Sequence, residues 1–64
     1  MEKIVVIGMK SEVIETMEER GYHMEGFNEL SIAAGRFYAY KADYQGADYF
    51  TITESEGIYT LSQY

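Results

Sequence analysis

Three evenly spaced glycines constrain this chain more than any other feature. Gly35, Gly46 and Gly57 lie 11 residues apart, and the stretches around them are rich in Tyr, Phe, Thr and Ile. Those side chains favour the pleated surface of a β-sheet. Turns at this spacing are typical of consecutive antiparallel hairpins. The sequence therefore predicts an antiparallel meander in its second half.

The N-terminal segment predicts a first strand whose position in the sheet is open. Residues 3–7 form an apolar, largely β-branched run, typical of a strand buried on both faces, and Gly8 is expected to end it. Such a run favours a central position, whereas meander order leaves it at an edge. A helical crossover predicts parallel pairing with the strand it joins. Pairing with the last strand, which would curl the sheet, or with another chain is the alternative.

A short amphipathic helix is predicted to follow. Ser11 is placed to cap a helix over 12–20, and Gly21 supplies the left-handed residue that ends many helices. One side of this helix is apolar and suits a position against the sheet. That side carries Val13, Ile14 and Met17.

Side-chain alternation then assigns the faces of the sheet, because a one-residue slip moves every side chain to the opposite face. We expect loops over 54–57 and 43–47 and a turn over 33–35 that ends a long strand over 22–32. The alternative register at 43–47 would direct Lys41 into the core, which is costly for an unpaired cation. The predicted inner face is Tyr22, Met24, Leu30, Ile32, Tyr38, Tyr40, Phe50, Ile52, Tyr59 and Leu61.

These patterns predict an α+β fold in one small domain spanning residues 1–64. The expected order is β-α-β-β-β-β, with an antiparallel meander sheet and one helix packed on one face. A chain of 64 residues is near the lower size limit for a single apolar core. It contains no cysteine, so disulfides and thiolate zinc sites are excluded.

Catalytic chemistry has little support in the sequence. His23 is the only histidine, and no spacing supports a nucleophile with its base. The segment from Gly8 to Ser11 lacks the glycines of a phosphate loop, and the acids around Gly46 lack the glutamate of a calcium loop. We therefore expect no enzyme, no cofactor and no metal site.

Two candidate interfaces remain. The registers place large apolar side chains together on the outer face of the sheet, as in patches that mark interfaces. This first candidate is Phe27, Phe37, Lys41, Tyr49 and Ile58. The alternative is the acidic side of the helix, which could dock on a basic groove. It carries Glu12, Glu15, Glu18 and Glu19.

Charge limits the class of partner. With 5 Lys+Arg against 11 Asp+Glu, the net charge of −6 opposes direct binding to nucleic acid or to an anionic membrane. The longest apolar run is too short for a membrane span, so a cytoplasmic location is expected. A larger protein with a basic surface is the expected partner, and a homodimer through the first strand or the outer sheet face is left open.

The profile of a very short, acidic, cysteine-free and Tyr-rich chain resembles small phage proteins that inhibit host nucleic-acid enzymes or defence systems, some of which mimic the charge of DNA. This resemblance is one of composition and covers no motif. The leading hypothesis is a non-enzymatic binding module that occludes a functional surface of a larger protein. The alternative is a homo-oligomer that binds a small ligand.

Overall fold

The computed structural model describes residues 3–43 and 46–64, and these residues form one five-stranded sheet with two helices. The elements in chain order are β1 (Val5–Met9), α1 (Lys10–Glu19), β2 (Tyr22–His23), α2 (Glu29–Ala34), β3 (Arg36–Lys41), β4 (Ala47–Ser55) and β5 (Ile58–Gln63). Neighbouring strands are antiparallel, in the order β1-β5-β4-β3-β2. The predicted α+β class, with a meander sheet and a helix packed on one face, is confirmed.

The sheet curls because its two edge strands are joined by α1. β1 and β2 lie at opposite edges, and α1 contacts both of them as well as β5. The face toward α1 is therefore concave and the outer face convex. Parallel pairing of the first strand is wrong, and its pairing with the last strand is confirmed. β5 offers β1 a five-residue register from Val5 opposite Ser62 to Met9 opposite Ile58, whereas β2 has only two residues.

The junction of β1 and α1 differs from the prediction at Gly8. This residue lies inside β1, and a Cβ there would come within 3.2 Å of Glu12 Oε1, so glycine leaves room for that side chain. Glu12 in turn accepts a hydrogen bond from Met9 N–H at 3.0 Å, so the helix starts at Lys10 rather than residue 12. The predicted stop is confirmed, since Gly21 has φ +90°.

A core of buried side chains fills the space between α1 and the concave face. Phe50 is fully buried at its centre, with its ring 5.6 Å from the Tyr22 ring and 5.8 Å from the Phe37 ring. The helix contributes Val13 and Met17, as predicted. The whole core is Val6, Val13, Met17, Tyr22, Met24, Phe27, Phe37, Ala39, Phe50, Ile52 and Leu61.

The predicted strand over 22–32 is wrong beyond its first two residues. Asn28 caps α2: its Oδ1 accepts from the backbone N–H groups of Leu30 and Ser31, each at 3.1 Å. Ser31 Oγ accepts from Asn28 N–H at 2.9 Å, which completes a reciprocal cap. Gly35, at φ +78°, ends the helix. Because a cap satisfies free amides locally, it stops the chain from continuing as a strand.

Because this segment is helical, two residues predicted on the inner face of the sheet occupy other positions. Leu30 is 84% exposed, so its predicted inner position is wrong. Ile32 is half-buried and packs against the core from α2 rather than from a strand. The prediction missed the cap because Leu and Ile two residues apart fit strand alternation as well as they fit one turn of a helix.

The register of β3 against β4 also differs. Phe37 lies opposite Phe50, and Tyr38 lies opposite Tyr49, so Tyr38 and Tyr40 face outward instead of inward. The prediction rejected this register to keep Lys41 out of the core. In the structure Lys41 is half-buried at the end of the strand, with Nζ 5.2 Å from the centroid of the Tyr22 ring. The ammonium group lies over an aromatic face and the residue keeps part of its surface in solvent, which lowers the expected cost.

The faces of the last hairpin are confirmed, although its loop is shorter than predicted. Ile52 lies opposite Leu61 and both are buried, while Tyr59 is half-buried against the core. Glu56 and Gly57 form the turn with φ values of 52° and 82°. A two-residue turn with two positive φ values suits the twist of a hairpin. Of the predicted 43–47 loop, Tyr44 and Gln45 lie outside the described residues.

Candidate docking surface

The outer face of the sheet carries no acidic side chain among the described residues. Strand alternation from the observed registers defines this face. It consists of Val5, Ile7, Met9, His23, Arg36, Tyr38, Tyr40, Ala47, Tyr49, Thr51, Thr53, Ser55, Ile58, Thr60 and Ser62. The described acids lie instead on α1, at the start of α2, in the loops and turns, or on strand positions of the opposite face. The molecule is therefore polarised in charge.

Tyrosines form an aromatic group at one side of the outer face. The Tyr38 and Tyr49 ring centroids are 5.1 Å apart, and those of Tyr49 and Tyr64 are 5.2 Å apart with near-perpendicular planes. Tyr64 N–H donates to Tyr49 C=O at 2.8 Å, which holds the last residue against β4. We call Tyr38, Tyr49 and Tyr64 the tyrosine cluster. Tyr40 extends it along β3 and is exposed.

An open cavity of about 440 Å³ adjoins the tyrosine cluster. Its walls are Ala34 at the end of α2, Arg36 and the aromatic side of Tyr38 and Tyr49, with Phe37 contributing from β3. Arg36 is exposed and brings a guanidinium to this side of the face. Aromatic walls with one cationic donor suit an apolar side chain of a partner that is flanked by a hydrogen-bond acceptor.

Aliphatic side chains occupy the opposite side of the outer face. Val5, Ile7 and Met9 point outward from β1, with exposures of 54%, 66% and 54%, and Ile58 lies across from Met9. We call these four residues the aliphatic strip. Between the strip and the tyrosine cluster lie hydroxyl side chains of β4 and β5. The outer face therefore combines two apolar parts with a polar centre, and its described residues include no acidic side chain.

Two residues of the predicted interface belong to the core instead. Phe27 is 4% exposed, with its ring 5.6 Å from the Phe37 ring and 5.7 Å from the Tyr59 ring. Phe37 is 6% exposed. Their predicted outer positions are wrong because the chain turns inward before Asn28 and because β3 takes the other register. Neither side chain is available to anchor a partner.

The remaining predicted residues are divided between the two faces. Tyr49 and Ile58 lie on the outer face as predicted, and their role in an interface stays a prediction. Lys41 lies on the opposite face, at its rim. Tyr38 and Tyr40 lie on the outer face although the sequence predicted them inside. The segment 36–41 carries aromatic side chains on both faces, so alternation alone does not show which face is buried.

The acidic side of α1 is present as predicted. Glu12, Glu15, Glu18 and Glu19 are all exposed, on the side of the molecule away from the outer sheet face. Glu12 is held by the amide of Met9, so three of these carboxylates are free of that capping role. The two candidate interfaces thus lie on opposite sides of the molecule.

Groups with catalytic or ligating potential are sparse in the described part of the chain. His23 Nδ1 lies 3.8 Å from Glu25 Oε1, and both side chains are well exposed. Across residues 3–43 and 46–64 no cluster of three or more His, Cys, Asp or Glu side chains could hold a metal ion. None of the helices in those ranges is long and apolar enough to cross a membrane.

Comparison of this chain with protein-family models, with curated proteins and with solved structures finds no match. The surface of the chain is therefore what points to its function.

Proposed function

We propose that this chain is a non-enzymatic binding module that docks the outer face of its sheet on a larger protein and occludes the surface it covers. The observation that carries this proposal is the tyrosine cluster on a face free of described acids. Tyrosine is enriched at the energetic centres of interfaces, because it combines a large apolar area with a hydroxyl and few rotatable bonds.

The shape of the face supports occlusion. A sheet that curls around α1 presents a convex surface, which fits a concave surface of a partner such as a substrate groove. Together the tyrosine cluster and the aliphatic strip span the sheet from β3 to β1. Partner residues that contact both would also cover the hydroxyl-lined centre between them. The docked chain would then inhibit the partner by keeping the partner's substrate out of that groove.

Charge supports a basic partner. The described acids lie off the outer face, so a docked partner would not have to desolvate a carboxylate there. At the same time the net charge of −6 attracts a positively charged protein and speeds association at low ionic strength. Specific contact and long-range attraction are thus assigned to different parts of the molecule.

The test measures affinity for a partner isolated by capture from the source cell. Tyr38→Ser removes an exposed ring from the tyrosine cluster, and we expect it to weaken binding at least about 30-fold, as at an interface hot spot. The matched control is Leu30→Ser, which removes a still more exposed apolar side chain from α2, off the outer face. That control should bind like the unmodified chain, and both variants should stay folded at the temperature of the binding measurement.

A charge-reversal series separates the two candidate interfaces. Glu15, Glu18 and Glu19 are changed to Lys, whereas Glu12 is kept because it caps α1. If the outer face carries recognition, association slows at low salt and the dissociation rate stays nearly constant. Faster dissociation of this triple variant, together with unchanged binding of Tyr38→Ser, would contradict the proposal and favour docking through α1.

A further inference from the structure

The free side of β1 is a backbone edge with a defined set of hydrogen-bonding groups. Gln63 N–H donates to Ile4 C=O at 2.8 Å, so even-numbered residues of β1 direct their backbone groups toward β5. Alternation in an antiparallel pair then directs those of Val5, Ile7 and Met9 away from it. β1 is the last strand on this side of the sheet. These groups therefore lie at the edge.

Only two residues of β1 keep both of their edge groups available. The N–H of Met9 donates to Glu12 Oε1 at 3.0 Å, and Met9 is the N-cap of α1, so its carbonyl belongs to the first turn of the helix. Val5 and Ile7 remain. β1 itself contains neither proline nor a charged side chain, the usual devices that protect an edge strand from pairing.

We propose that β1 pairs antiparallel with β1 of a second copy of this chain, with Val5 opposite Ile7 of the second copy. A two-fold axis then passes between the Val6 residues of the two copies, and each of the two Val5–Ile7 pairs exchanges two hydrogen bonds. Other antiparallel registers within β1 leave one of these residues unpaired or oppose it to Met9. The match between two free residues and this one symmetric register points to a copy of the same strand.

Charge complementarity supports this occupant. The register aligns Lys3 with Met9 of the second copy, where the carboxylate of Glu12 is held at the backbone amide. Each copy thus brings one exposed lysine to one fixed carboxylate, twice by symmetry. An ion pair repeated in this way offsets part of the repulsion between two chains that each carry a net charge of −6.

Packing at the edge is compatible with the pairing. The first turn of α1 lies on the inner side of β1, since a Cβ on Gly8 would lie 3.3 Å from Glu12 Cβ. On the outer side, Val5, Ile7 and Met9 of both copies form one continuous apolar band. One five-residue strand buries less than the roughly 1,200 Å² of a stable complex, so we expect a concentration-dependent dimer.

The first experiment compares solution mass over protein concentration. Sedimentation of the unmodified chain from about 10 µM to about 1 mM should show a shift from monomer to dimer by mass action. Val5→Pro removes an edge N–H that does not bond to β5, and it should stay monomeric with little change in melting temperature. Ile58→Lys changes an exposed aliphatic residue one strand inward, and it should still dimerise.

A monomer at every concentration would overturn the proposal. So would a dimer that survives Val5→Pro and is lost in Ile58→Lys, since that pattern indicates packing of outer faces. Lys3→Glu tests the register, and we expect it to weaken dimerisation about 10-fold at low salt and much less at high salt. Unchanged dimerisation of this variant would exclude the aligned ion pair and hence this register.

Amide hydrogen exchange of the unmodified chain tests the proposal without any substitution. The amides of Val5 and Ile7 should exchange more slowly as protein concentration rises, whereas Val6, which faces β5, should be protected throughout. Equal, concentration-independent exchange at Val5 and Ile7 would overturn the pairing. The proposal does not rest on docking of the outer face, because none of these measurements involves a partner protein.

Discussion

The hairpin of β4 and β5 and the segment from β2 to β3 both carry aromatic and aliphatic side chains, yet these are distributed differently between the two faces of the sheet. In the hairpin, apolar and polar side chains alternate, and the buried residues Phe50, Ile52 and Leu61 are those that alternation selects. From β2 to β3, aromatic side chains occupy both faces. There Phe37 is buried while Tyr38 is exposed, the reverse of the prediction.

The difference shows what alternation encodes. Alternation identifies the buried face when every second side chain is polar, because the opposite register would expose the apolar side chains and bury the polar ones. When both sets are aromatic, the free-energy difference between the two registers is small. In this protein the choice of register depends on the cap at Asn28 and on Lys41, whose ammonium group can lie over the ring of Tyr22. Four predictions test this comparison, in order of expected effect.

Phe50→Ala should have the largest effect, because this ring is fully buried and contacts the rings of Tyr22 and Phe37. We expect the free energy of unfolding to fall by about 3 to 5 kcal/mol, which is comparable with the whole stability of a domain this small. Circular dichroism during urea unfolding measures it. Thr53→Ala, on the exposed side of the same strand, is the control and should change stability by less than about 0.5 kcal/mol. A cooperative transition like that of the unmodified chain would contradict the described core.

Phe37→Ala and Tyr38→Ala test the register of β3 directly. Phe37→Ala should lower the free energy of unfolding by about 3 kcal/mol or more, since the Phe37 ring packs between Phe27 and Phe50. Tyr38→Ala should lower the free energy of unfolding by about 1 kcal/mol or less, because it removes only one exposed ring contact, with Tyr49. Both are read from the midpoint of urea unfolding. The opposite ranking of the two variants would restore the register predicted from the sequence.

Asn28→Ala tests whether the cap decides the conformation of the segment before β3. Loss of the two hydrogen bonds from the amides of Leu30 and Ser31 should destabilise the protein by about 1 kcal/mol. Thermal unfolding followed by circular dichroism measures the change. Asn28→Asp preserves the acceptor and should retain most of the stability. In a strand, where alanine is no worse than asparagine, neither substitution would be costly.

Glu56→Asn should have the smallest effect and the opposite sign. Glu56 is the only residue other than glycine with a positive φ among residues 3–43 and 46–64. Asparagine tolerates this conformation better, and Asn-Gly is the preferred pair for such a turn. We expect a gain of roughly 0.5 kcal/mol in the free energy of unfolding. Ser55→Asn, one residue earlier, is the matched control and should bring no gain.

The sequence by itself determined the parts of the fold that depend on local and unambiguous patterns. The apolar side of α1 with Val13 and Met17, the stop at Gly21 and the faces of the last hairpin all follow from spacing, propensity and turn chemistry. For the candidate site, these patterns correctly placed Tyr49 and Ile58 on the outer face and left the acidic residues of α1 exposed.

Only the tertiary structure decided the faces of β3, the inward turn of Phe27 and the position of β1. Each depends on partners distant in sequence: Lys41 on the ring of Tyr22, Phe27 on Phe37, and β1 on the free side of β5. A local pattern ranks conformations by each residue's own preference for water or for a pleated surface. Where these preferences nearly balance, contacts between distant segments determine which side chains form the core and which are left for a partner.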